Sequence, residues 1–129
     1  MLALDSNILL RYITHDDSAQ TSMAIRFVET ELTQDNPGYV AIPVLCEVVW
    51  SLRRVYGFDE ESIGAAIRLL LESSQITIAG EAAVALALRS DAGLLDAMIH
   101  ELGRQAGCTE TVTFDRRFAR LPGVRLLDS

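Results

Sequence analysis

Five short apolar runs, set apart by stretches of helical periodicity, constrain this sequence more than any other feature. Leu2-Ala3-Leu4, Tyr39–Ile42, Ile76–Ile78, Thr111–Phe114 and Val124–Leu127 are too short for helices and read as strands. A first helical stretch runs through Ile8, Leu9 and Tyr12 to a break at His15-Asp16-Asp17-Ser18. A second extends from Ser18, a predicted N-cap, to about Thr33, with Ala24, Phe27, Val28 and Leu32 recurring at helical spacing. Asn36-Pro37-Gly38 marks a turn, and Pro43 suits the first position of a helix that runs to Tyr56 and stops at Gly57. Asp59 is placed to cap a helix to Ser73, and further helices cover Glu81–Arg89, Leu94–Ala106 and, briefly, Arg116–Arg120. Strands separated by helices need crossover connections. The expected class is therefore α/β: a mostly parallel, twisted sheet of about five strands with helices on both faces. No period repeats, and 129 residues suit one domain over 1–129.

Composition narrows the chemistry. Half of the residues are apolar, enough for a sizeable core, and the net charge is -7. That balance argues against an indiscriminate nucleic-acid coat, which needs a basic stripe. All 11 basic residues are arginine. Without lysine there is no P-loop and no Schiff base. Receiver domains and haloacid-dehalogenase-like phosphatases, two small α/β rivals, are also excluded, since both need a lysine. Cys46 and Cys108 are too few to staple a secreted domain and are expected to be free thiols in a reducing compartment. Met1–Asp5 has no basic start, and the longest apolar run, Ala82–Leu88, is far short of a membrane span. A cytoplasmic protein without membrane contact is the expectation.

Four carboxylates stand out by position. Asp5 ends the first strand and Asp115 the fourth. Glu47 lies mid-helix, with Val44, Val48 and Trp50 as near neighbours, where burial would be costly without a partner. Asp96 falls in the first turn of an apolar helix. Each has a plainer reading: Asp5 and Asp115 as helix caps, Asp96 as an acid favoured by the helix dipole, Glu47 as a side chain that snorkels to water. In parallel sheets, however, the working crevice lies beyond the carboxyl ends of the strands. Four acids meeting there would repel one another unless a hard cation stood among them, and an all-oxygen donor set suits Mg²⁺ or Mn²⁺.

Leu4-Asp5-Ser6-Asn7-Ile8-Leu9, Glu47-Val48-Val49, Leu95-Asp96-Ala97-Met98-Ile99 and Thr113-Phe114-Asp115-Arg116-Arg117-Phe118-Ala119 resemble the PIN-domain ribonucleases. More narrowly, they resemble the VapC-type toxins of prokaryotic toxin–antitoxin pairs, as does the ending from Phe118 to Leu127. The resemblance implies that Asp5, Glu47, Asp96 and Asp115 are catalytic and bind Mg²⁺ or Mn²⁺. It gives Ser6, Asn7 and Thr113 the task of steadying those acids by hydrogen bonds. Family members often carry another acid three residues before the helix aspartate, where this chain has Gly93; Asp91, two residues earlier, is a possible substitute. The implied activity is metal-dependent endonucleolytic cleavage of RNA that leaves a 5′-phosphate and a 3′-hydroxyl. The implied partners are a VapB-like antitoxin, whose basic side chain would mimic the metal among the acids, and a second copy of the chain.

The chemistry is also reachable without the family, since phosphodiester hydrolysis needs an activated water and charge neutralisation at phosphorus. Because the chain is acidic overall, RNA would be held by local arginines. Arg116, Arg117 and Arg120 follow Asp115 directly, and on a helix Arg116 and Arg120 would share a face. Arg11, Arg53 and Arg54 are weaker candidates. His100, four residues after Asp96, either approaches the acids or serves the fold. Cys46 and the stripe Leu9, Tyr12, Ile13, Val49, Trp50, Leu52 and Tyr56 read as core, although the family places an antitoxin groove on the early helices. The competing function is a non-catalytic PIN-like module that binds RNA or protein.

Overall fold

A computed structural model describes residues 1–16 and 18–128. Asp17, part of the expected break after the first helix, and Ser129, the last residue of the expected domain, lie outside the described residues. The chain divides into two compact units, Met1–Ala79 and Gly80–Ser129.

The first unit runs β1 (Leu2–Ala3), α1 (Ser6–Thr14), α2 (Ala19–Thr30), β2 (Gly38–Val40), α3 (Ile42–Arg54), α4 (Glu60–Glu72) and β3 (Ile76–Ile78). β2 is the central strand, parallel to β1 with Leu2 opposite Gly38 and to β3 with Gly38 opposite Ile76. A Cβ on Gly38 would come within 2.6 Å of Leu4 Cδ1, so glycine lets the buried Leu4 lie against the middle of the sheet. The core is written in helical spacing: Leu45, Val48, Val49 and Leu52 of α3, and Ile63, Ala66, Ile67 and Leu70 of α4, are all buried. Each of these leucine, valine and isoleucine side chains contributes roughly 1.5–3 kcal/mol on removal from water. Only Leu4 and Asp5 separate β1 from α1, and only Ala41 separates β2 from α3. A residue at such a strand end is pushed into the role of helix cap.

The turn from α1 to α2 is held by Asp16. Its carboxylate accepts from Thr21 Oγ1, from Ser18 Oγ at 3.1 Å and from Arg11 Nη1 at 2.5 Å. These donors, Thr21 foremost, hold the Asp16 carboxyl below its ordinary value, and the Ser62 amide does the same for Asp59, the cap of α4. The folded state thus favours both carboxylates in their charged form. Their stabilising effect is present above about pH 3.9, where the unfolded chain's aspartates are already ionised, and is lost as the pH falls below that. In thermal melts between pH 5 and pH 3, the double variant Asp16→Asn/Asp59→Asn is expected to lose less Tm than the native chain. Equal slopes would contradict the assignment.

The second unit runs α5 (Glu81–Leu88), α6 (Leu94–Gln105), β4 (Thr111–Thr113), a single 3-10 turn (Phe118–Arg120) and β5 (Val124–Leu126). α5 and α6 pack through Ala83, Val84 and Ala87 on one side and Leu94, Ala97 and Met98 on the other. β4 and β5 are parallel, with Thr111 opposite Val124. His100 serves the fold: it is 7% exposed, and its Nδ1 shares a hydrogen bond of 2.7 Å with Thr111 Oγ1. A Cβ on Gly123 would stand 3.1 Å from its ring, so glycine at this positive-φ position leaves the imidazole its place.

The α/β class and the parallel pairing agree with the alternation of runs, and all five strands occur. Two expectations change. The strands hydrogen-bond as a set of three and a set of two rather than as one ladder. Periodicity marks which residues extend but not which edges pair, and the choice is weakly determined for strands of two or three residues. The expected helix Arg116–Arg120 is a turn followed by the 3-10 segment. Leu121 precedes Pro122 and is extended (φ -69, ψ 140), which stops the helix after one turn.

Candidate active site

In the first unit the sequence places Asp5 and Glu47 far apart, and Ser6 brings them together. Asp5 follows β1 and is the N-cap of α1, where its Oδ1 accepts the Ser6 N–H at 2.8 Å. Ser6 is 1% exposed, and its hydroxyl donates to Glu47 Oε1 on α3 at 2.5 Å. One buried serine therefore holds two exposed carboxylates, one by its backbone and one by its side chain. Packing of α1 against α3 sets this meeting. Glu47 is not on a buried stripe, as its neighbours suggested. Val48 is fully buried, but Trp50 is 53% exposed, and Glu47 is exposed. The rest of the apolar stripe divides likewise: Leu9, Val49 and Leu52 are buried, while Tyr12, Ile13, Tyr56 and Cys46 are half-buried. Both cysteines are free, and Cys108 is exposed.

Asn7 is exposed and makes no side-chain hydrogen bond among the described residues. It lines a cavity of about 370 Å³ with Ile8, Arg11, Gln20, Met23, Ala24 and Phe27. Arg11 is engaged by Asp16, Tyr56 and Gln20, and Arg53 by both oxygens of Glu60, which hold its guanidinium above its ordinary pKa. These two arginines are committed to the fold. Arg54 is exposed.

In the second unit Asp96 is half-buried in the first turn of α6, which has no side-chain cap. Its carboxylate accepts no side-chain hydrogen bond among the described residues. Gly93 is the N-cap, and a Cβ there would meet nothing nearer than Asp96 Oδ2 at 4.0 Å. The position where family members carry an additional acid thus faces the Asp96 carboxylate, whereas Asp91 is exposed in the preceding bend. Asp115 holds the turn that leads into the 3-10 segment, whose own N-cap is Arg117: its Oδ1 accepts from the Arg117 amide at 2.8 Å and the Phe118 amide at 3.1 Å. Thr113 Oγ1 accepts the Asp115 amide at 3.0 Å, fixing the backbone from which that carboxylate projects. This bonding makes Asp5 the cap of α1 and ties Asp115 to the turn ahead of the 3-10 segment. It leaves the second oxygen of each without a protein hydrogen bond among the described residues.

Arg116, Arg117 and Arg120 are exposed. Among the described residues the ion pairs are Arg11–Asp16, Arg53–Glu60, Arg104–Glu101 and Arg125–Glu110, so none of the three is engaged. The argument that Arg116 and Arg120 share a helix face lapses with the helix. Sequence reasoning also missed how open this segment is: Phe114, counted with the fourth strand, stands almost wholly in water. The alternation of Thr111 and Thr113 with Val112 and Phe114 was the available signal.

The sequence pattern of the PIN domain matches residues 2–124 and so runs through both units. This chain belongs to the PIN domain family. No curated protein matches it. PIN domains are nuclease-type modules that generally use divalent metal ions. Among the described residues no group of three or more His, Cys, Asp and Glu is gathered to hold a metal ion. Mg²⁺ usually keeps several waters and takes one or two carboxylates together with substrate phosphate. The pair at Ser6 fits that demand: two exposed carboxylates, oxygen donors only, neither in an ion pair among the described residues. Among the described residues no helix is long and apolar enough to cross a membrane.

Proposed function

We propose that this PIN domain is a metal-dependent endoribonuclease, the VapC-type toxin of a type II toxin–antitoxin pair. In this reading residues 1–129 act as one nuclease domain in the cytoplasm, as a homodimer restrained by a VapB-like antitoxin. Asp5, Glu47, Asp96 and Asp115 are its catalytic acids. The observation that carries the reading is the hold of Ser6 on both Asp5 and Glu47. A buried hydroxyl spent on an exposed carboxylate does little for stability, because water would serve that carboxylate as well. It does fix where the carboxylate stands.

Mg²⁺ or Mn²⁺, held by these acids, would supply the Lewis acidity and the lowered water pKa that phosphodiester hydrolysis requires. The protein's own share is positional. Ser6 steadies Asp5 and Glu47, and Thr113 with the amides of Arg117 and Phe118 steadies Asp115. Arg116, Arg117 and Arg120, without ion pairs among the described residues, bind the RNA backbone.

Isothermal titration with Mn²⁺ tests this. The native chain is expected to bind, and Asp5→Asn to bind at least about 10-fold more weakly, by the loss of one charged ligand. No binding by the native chain would instead favour a non-catalytic PIN-like module that engages RNA or protein.

A further inference from the structure

We infer that Phe114 and Arg116 form a subsite for one unpaired nucleotide of the RNA, the base stacked on the ring and the adjoining phosphate on the guanidinium. The inference rests on the nuclease reading and adds to it a contact residue for the RNA, Phe114.

Phe114 is 79% exposed, more than any other large apolar side chain among the described residues. It directly follows β4, where Thr111 and Thr113 are half-buried while Val112 is exposed, so the ring continues the outward row. With Arg116, Leu126, Leu127 and Asp128 it lines an open cleft of about 650 Å³. The cleft wall is fixed by backbone, since the Leu127 amide donates to Thr113 O at 2.8 Å. Between ring and guanidinium in the sequence lies Asp115, one of the proposed catalytic acids, itself anchored by two amides.

Charge selects the occupant. The chain carries a net charge of -7, yet Arg116 and Arg117 flank Asp115 without an ion pair among the described residues. An aromatic face with a free guanidinium beside it matches a base and its phosphate. Asp128 brings one opposing carboxylate into the cleft but is not paired with Arg116 among the described residues. In a duplex the bases stack on one another and offer no free face, so the subsite takes an unpaired strand.

Binding of a single-stranded RNA decamer carrying 2-aminopurine, with Ca²⁺ in place of Mg²⁺, tests the subsite. The native chain is expected to quench the probe on binding. Phe114→Ala should weaken binding about 10-fold or more and abolish the quench, while Phe114→Trp retains both. Affinity for an RNA duplex should be unchanged. In cleavage assays with Mn²⁺, Phe114→Ala should raise KM for the decamer with kcat within about 2-fold. Cleavage by the native chain together with unchanged RNA affinity in Phe114→Ala overturns this subsite and leaves the nuclease reading standing. A native chain that neither binds nor cleaves overturns both. A Phe114→Ala variant that alters the oligomeric state in sedimentation, with RNA affinity kept, makes the ring a protein contact and overturns the subsite.

Discussion

Asp5→Asn and Asp96→Asn are each expected to abolish RNA cleavage, by about 10³-fold or more, with the fold intact. The size follows from the chemistry the acids serve: metal-assisted charge stabilisation is worth several kcal/mol, and each 1.36 kcal/mol is a factor of ten in rate. The preservation of the fold follows from the geometry. Asp5 acts on the fold as an N-cap through Oδ1, and asparagine caps as well as aspartate does. Asp96 makes no cap hydrogen bond, so its amide forfeits only the helix-dipole interaction, about 0.3–1 kcal/mol. Cleavage of total RNA, growth after induction, and circular dichroism melts read the two properties separately. Undiminished cleavage in both variants would overturn the assignment, and a Tm fall of more than about 8 °C would show that the acids are structural.

The sequence made the α/β class and most of the helix boundaries legible because both rest on local physics. Ser18 and Asp59 cap where hydroxyl and carboxylate precede an apolar periodicity, and the glycines at 57 and 107 take positive φ after their helices. Strand partners were not legible, since edge choice depends on packing between segments far apart. Glu47 shows the same limit in the site. From its neighbours it reads as a buried acid in need of a cation, and only the exposure of Trp50 reveals that this face of α3 is wet. Ser6 was picked out through the family resemblance alone. Nothing in Asp5-Ser6-Asn7 says that the hydroxyl reaches a residue 41 positions away. His100 was ambiguous until Thr111 and Gly123 were seen against its ring.

The same hydroxyl yields a sharper expectation than any of the acids. Ser6→Ala keeps the backbone N–H that serves Asp5 and removes only the bond to Glu47. Its stability cost should be modest, about 0.5–1.5 kcal/mol, since the freed carboxylate is exposed and water replaces the donor. Its cost in activity should be larger, about 10- to 100-fold, because a metal-binding carboxylate that wanders loses affinity and alignment together. Glu47→Gln reverses the order: the amide oxygen still accepts from Ser6, so stability is kept, while the lost charge costs more activity than Ser6→Ala does. If Ser6 acts only through Glu47, Ser6→Ala/Glu47→Ala is no less active than Glu47→Ala alone, since that truncation removes the accepting carboxylate. The apparent Mn²⁺ requirement for cleavage should rise in Ser6→Ala, a change that loss of packing would not produce. A double variant slower than Glu47→Ala by a further factor of ten would show that Ser6 works on the site by a route other than this carboxylate.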